Sequence, residues 1–335
     1  SVPCSAAPAG GWPAVTYIDG TAASGHIGES LKPFGFAHRV VAEIPPLYSG
    51  TTTNDLSFLE QQLLKLIGAS DQQLPGLLFF NLLNPVAART NVFQQAANNL
   101  MLVRALRSFS LDGAAIGITG TVDGSRVSVA GHSQGAQTLP LVAAADPAIA
   151  GVFSSAGSGG YYHQFAHEAD KRALLAEITG DAPLLDELTP LVQVAQTTLE
   201  AADPANYPST MAFLNVSGID DGCVSVESAR HYSQATGLAS ADLQPPTSLY
   251  GAVPLDPPTV SLPAGGNSAG RTRINVETNG GHESAFSNLA IGTGFLDAVD
   301  AGITPIIPTN PYPDAATRPV GCSGRWDPPS NRFGE

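Results

Sequence analysis

Two patterns of apolar residues alternate along the chain. Short, nearly continuous apolar blocks occupy residues 14–18, 39–42, 126–130, 151–156, 211–216 and 272–278. Blocks this short, bounded by glycine or small polar residues, predict strands buried on both faces. Between them lie longer stretches with helical spacing. Over 54–67 the apolar positions are Leu56, Leu59, Leu63, Leu64 and Ile67. Over 90–109 they are Val92, Phe93, Ala96, Leu100, Val103 and Leu106. Further helices are predicted over 136–145, 163–178, 183–200, 225–235 and 285–298. The most apolar run, 77–83, predicts a buried strand stopped by Asn84-Pro85, with a lid or an interfacial patch as alternatives.

Strands alternating with helices imply a mostly parallel central sheet flanked by helices, an α/β fold. Such a sheet carries its site at the carboxyl ends of the strands. The expected organisation is one domain over 1–335. Its core spans about 14–156 and 208–300, a helical cap insertion spans about 157–207, and a Pro-rich tail spans 302–335. The Pro-, Ser- and Gly-rich stretch 237–270 predicts a long surface loop.

The pentapeptide Gly131-His132-Ser133-Gln134-Gly135 stands between a predicted strand and a predicted helix. Strand, G-x-S-x-G, helix is the context of a nucleophile elbow. A serine on so tight a turn needs neighbours without a Cβ, and glycine meets that need. Such a serine requires a base and an acid that orients it, in the chain order Ser, acid, His. Both follow later strands. The loop after 211–216 offers Asp220 and Asp221, and the spacing of Gly218, Asp221 and Val224 favours Asp221. His282 follows the strand 272–278 and a Gly-Gly turn. His132 is expected at the back of the site, and His231 on a helix surface. His163 and His167, four apart, are expected on one solvated or pocket-rim helix face. They lack a third ligand at metal-binding spacing.

These residues resemble the α/β-hydrolases of the lipase and esterase type, including secreted bacterial lipases, over roughly 14–300. Asn84-Pro85, Arg89, Asn91 and Gln94 add to the likeness. The resemblance implies an α/β-hydrolase fold with a Ser133–His282–Asp221 triad and an acyl-enzyme intermediate. It implies an oxyanion hole from the backbone N–H groups of Gln134 and Thr21, with Ala22 as second choice to Thr21. Many relatives open the first loop with His-Gly, and here it is Asp19-Gly20. The implied reaction is cleavage of a carboxylic ester, small or lipid, or a polyester, with no metal or organic cofactor. An acyltransferase or an amidase would use the same triad. A non-catalytic binding module on this scaffold would usually lack one of the three groups.

Composition narrows the partners. A formal charge of −14 offers no basic footprint for nucleic acid. No apolar run reaches 18 residues, so no membrane-inserted helix is expected. A first residue other than Met suggests a processed, secreted or extracytoplasmic protein. The three cysteines, Cys4, Cys223 and Cys322, allow one bridge. Cys4–Cys322 would pin the two ends, and Cys223–Cys322 is the alternative.

Overall fold

The structure is a computed structural model that describes residues 2–21, 38–59, 61–62, 71, 74–81, 84–113, 118–167, 189–219, 221–242, 273–278, 281–282 and 289–305. Eight strands form one sheet: β1 (Trp12–Ile18), β2 (Val40–Ile44), β3 (Ser110–Gly113), β4 (Ile118–His132), β5 (Gly151–Ser155), β6 (Ala212–Gly218), β7 (Ala239–Asp242) and β8 (Arg273–Thr278). Their order is β2-β1-β4-β5-β6-β8-β7, and β3 pairs with β4. Every pair along the path is parallel, and β3–β4 is an antiparallel hairpin. All seven residues of β1 are buried. β4 begins half exposed beside β3 and is fully buried from Val127 to His132, where it runs between β1 and β5.

The helices are α1 (Leu74–Phe80), α2 (Pro85–Arg107), α3 (Gln134–Ala145), α4 (Tyr161–His167), α5 (Pro190–Leu199), α6 (Val226–Thr236) and α7 (Leu289–Asp300). They close both faces of the sheet. Successive strand residues alternate between the two layers, as the pleat requires. Ala14 joins a core with Val92 and Val103 of α2 and Leu139 and Val142 of α3. Val15 and Tyr17 join the opposite core with Ile291, Phe295 and Leu296 of α7. Arg230 of α6 donates twice to Glu277 of β8, at 2.8 and 2.6 Å, and Glu277 is almost wholly buried. This pair fixes α6 to the strand that precedes His282.

Several expectations are corrected. The apolar run at 77–83 does not form a strand: Leu77 to Phe80 lie in α1, with Leu74 and Phe79 buried. Periodicity cannot separate a short buried helix from a buried strand. Asn84-Pro85 is a start signal. Asn84 caps α2 by accepting the N–H of Ala87 at 3.1 Å, and Pro85 fills the first helical position, where its missing donor costs nothing. The expected loop at 237–270 opens with strand β7, and residues 243–270 lie outside the described residues. Cys4 is a free, exposed thiol, so the Cys4–Cys322 bridge does not form. His163 is buried, not solvated. Its ring lies 4.8 Å from that of His231, which is half-buried.

Residues 60 and 63–67 of the helix expected over 54–67, and 168–178 of that over 163–178, fall outside the described residues, as do Ala22, Asp220 and Cys322. Among the described residues, no helix is long and apolar enough to cross a membrane.

Candidate active site

The order in which strands are added reverses between β1 and β4. The chain leaves β1 toward β2 on one side, then returns across β1 to β4 and continues to β5, β6 and β8. Loops leaving adjacent strands in opposite senses open a crevice at their carboxyl ends. Two of the expected site segments flank that crevice: Asp19-Gly20-Thr21 after β1, and Ser133 after β4.

Ser133 sits at φ 50° and ψ −115°, a conformation that a residue with a Cβ adopts at a cost of about 1–3 kcal/mol. Close packing enforces it. A Cβ on Gly135 would overlap the carbonyl oxygen of Ile18, and one on Gly131 would lie 2.9 Å from the backbone of Gly135. The N–H of Gly135 donates to the carbonyl of Asp19 at 3.2 Å, and that of Ser133 to the carbonyl of Ser155 at 2.9 Å. The turn is thus tied to the ends of both neighbouring strands. The Gln134 side chain points away into the helical layer and donates to Gln95 Oε1 at 2.8 Å. Gln95 also holds the Leu47 N–H at 3.0 Å. Nothing in the sequence singles out Gln95, because its partners Leu47 and Gln134 come from two distant segments.

Asp19 has a local structural task. Its Oδ1 accepts the N–H of Gly20 at 2.6 Å and the hydroxyl of Tyr17 at 3.3 Å. Gly20 is thereby removed as a donor to substrate. Among the described residues, the N–H groups of Thr21 and Gln134 form no hydrogen bond. Gln134 opens α3, where the helix dipole favours negative charge. Gly20 itself packs tightly: a Cβ there would lie 3.0 Å from the His132 ring and 3.3 Å from Ser133 Cβ.

The acid and base follow the next strands. Ile219 N–H donates to the Thr278 carbonyl at 3.0 Å, which joins the ends of β6 and β8. Asp221 Oδ1 then accepts the N–H groups of Cys223 and Val224, at 2.8 and 2.9 Å. Its carboxylate meets Nδ1 of His282 at 3.0 and 2.9 Å. Both side chains are buried, Asp221 almost wholly. The His282 ring packs on the ring of His132, with centroids 4.6 Å apart. The structure therefore brings Asp221 and His282 into contact and sets His282 against the residue preceding Ser133. Among the described residues, Ser133 Oγ makes no hydrogen bond.

The side-chain donor atoms of Asp221, Cys223 and His282 lie within 4.8 Å of one another, but the Cys223 sulfur is held in a disulfide and Asp221 and His282 bond to each other. A cation there would have to displace the Asp221–His282 hydrogen bond.

An apolar cavity lies among Phe79 and Phe80 of α1, Ala88 and Val92 of α2, Tyr161 of α4 and Leu199 of α5. Helix α1 also reaches the first loop: a Cβ on Gly76 would lie 3.0 Å from the Thr21 methyl. Burial holds the phenol of Tyr161 well above the usual tyrosine range.

Neither a family model nor a curated protein sequence matches the chain. Solved structures do match. An acetyl xylan esterase from Paenibacillus sp. R4 superposes with a TM-score of 0.51 at 14% identity, over 89% of this chain and 77% of that one. Acetyl xylan esterase 1 from Thermoanaerobacterium sp. JW/SL YS485 gives 0.47 at 17% identity, over 85% and 74%. An acylaminoacyl peptidase from Pyrococcus horikoshii gives 0.49 at 11% identity, over 87% of this chain and 37% of that one. At these identities the likeness is one of architecture.

Proposed function

We propose that this chain, which has the α/β-hydrolase fold, is a serine hydrolase that cleaves carboxylic esters through an acyl-enzyme. The observation that carries the reading is the Asp221–His282 contact at 2.9 Å, with the ring lying against the turn that presents Ser133. A hydrogen bond from Nδ1 to a carboxylate leaves Nε2 as the basic nitrogen. Among the described residues Ser133 Oγ has no hydrogen bond, and catalytic hydrogen bonds often tighten only when substrate is present.

In the reaction, Ser133 Oγ attacks the ester carbonyl carbon as His282 Nε2 takes its proton. Asp221 holds the ring in the productive tautomer and stabilises the imidazolium. The oxyanion forms opposite the N–H groups of Gln134 and Thr21, and losing one such donor typically costs about 10²–10³-fold in kcat. The imidazolium then protonates the departing alkoxide. Water, deprotonated by the same nitrogen, releases the acid and restores Ser133.

Rapid mixing with an excess of nitrophenyl butyrate tests the two-step route. The expected result is a burst of nitrophenol near one equivalent per chain, followed by slower steady turnover. Steady turnover after Ser133→Cys equal to that of the native chain would overturn the assignment.

A further inference from the structure

His132 lies inside the elbow, yet the mechanism above gives it no task. It is the last residue of β4, it is buried, and its Nδ1 lies 2.9 Å from Oγ of Ser155, its register partner on β5. The Cδ2 edge of its ring lies close to Gly20 of the first loop. The ring also meets that of His282, centroids 4.6 Å apart and planes inclined at 56°. The base is therefore held between a carboxylate at Nδ1 and an aromatic ring.

We propose that His132 is a positioning residue for His282: a neutral imidazole, anchored through Ser155, that keeps the base in its productive orientation and stabilises its cationic form. The inference rests on the serine-hydrolase reading. Three physical points support it. A ring in contact restricts rotation of His282 about the bond that would break its contact with Asp221, and misplacement by about 1 Å can cost about 10²-fold in rate. A cation over a neutral aromatic ring is attracted by the ring quadrupole. Two imidazoles this close do not both charge readily, and of the two it is His282 whose Nδ1 faces a carboxylate. The other titratable groups around the pair, among the described residues, are Asp221 on His282 Nδ1 and Asp19 and Tyr17 on the β1 side; Cys223 beside Asp221 is held in a disulfide and does not titrate.

Two variants separate the ring's electrostatic part from space filling. His132→Leu fills the site without an aromatic face, and His132→Phe keeps the face without the Ser155 bond. Titration of the ¹⁵N-labelled imidazoles by NMR reads the His282 midpoint whether or not the chain is active. The expected midpoint moves toward acid by about half a pH unit or more in His132→Leu and by much less in His132→Phe. In parallel, kcat for nitrophenyl butyrate falls about 10–100-fold in His132→Leu with KM nearly unchanged, and His132→Phe recovers most of it. An unmoved midpoint in a folded His132→Leu, or equal shifts in both variants, would overturn the proposal. Loss of the hydrolase reading shows separately, as a native chain with the NMR contrast intact but no turnover.

Discussion

Ser133→Ala loses about 10⁶-fold in kcat on nitrophenyl butyrate while melting at the temperature of the native chain. The loss is large because base, acid and oxyanion donors all act through one oxygen. The fold is spared because alanine keeps the same Cβ in the same strained turn. A companion variant tests the strain itself. Ser133→Gly is equally inactive, but glycine adopts φ 50° without the penalty of about 1–3 kcal/mol carried by serine. The larger unfolded-state entropy of glycine offsets about 0.4–1 kcal/mol of that gain. The Gly variant is therefore expected to melt at or above the Ala variant. A Gly variant that melts well below it would mean that the elbow is not strained.

Asp221→Asn is expected to lower kcat about 10⁴-fold with little effect on stability. The geometry dictates how. Oδ1 of Asp221 holds the two loop N–H groups of Cys223 and Val224, and an asparagine oxygen can keep both. The amide nitrogen then occupies the place of Oδ2, 2.9 Å from His282 Nδ1. Facing a donor, Nδ1 must accept, so the proton moves to Nε2 and the ring can no longer take the serine proton. Asp220→Asn, one residue earlier, is expected to leave kcat near native. Steady-state kinetics and thermal melts on both variants make the comparison, and the reverse outcome would assign the acid to Asp220.

The readable parts of this chain were those set by local sterics. Gly131 and Gly135 announce a crowded turn, and the crowding is there: neither position has room for a Cβ against Ile18 and the elbow backbone. The helix predicted over 225–235 is α6, and Ser225 caps its first turn by accepting the Ser228 N–H. What escaped the sequence depends on partners distant along it. The run at 77–83 is apolar enough for either element, and packing against α2 settles it as helix. Strand β7 has weak strand-forming residues and exists through its register with β8. The tasks of Asp19 and Gln95 emerge only when β1, α2 and the elbow meet. The contact of His132 with His282 joins the end of β4 to the loop after β8, with β5 and β6 between them in the sheet, which no spacing rule anticipates.

One measurement bears most directly on the claim that residues 133, 221 and 282 act as a single reactive centre. The folded native chain and its His282→Ala variant are treated with a fluorophosphonate, and the adduct is located by peptide mass spectrometry. The account predicts one phosphonyl group per native chain, on Ser133, and labelling slowed by orders of magnitude in the variant. A native chain that stays unmodified, or an adduct on any other residue, would contradict it.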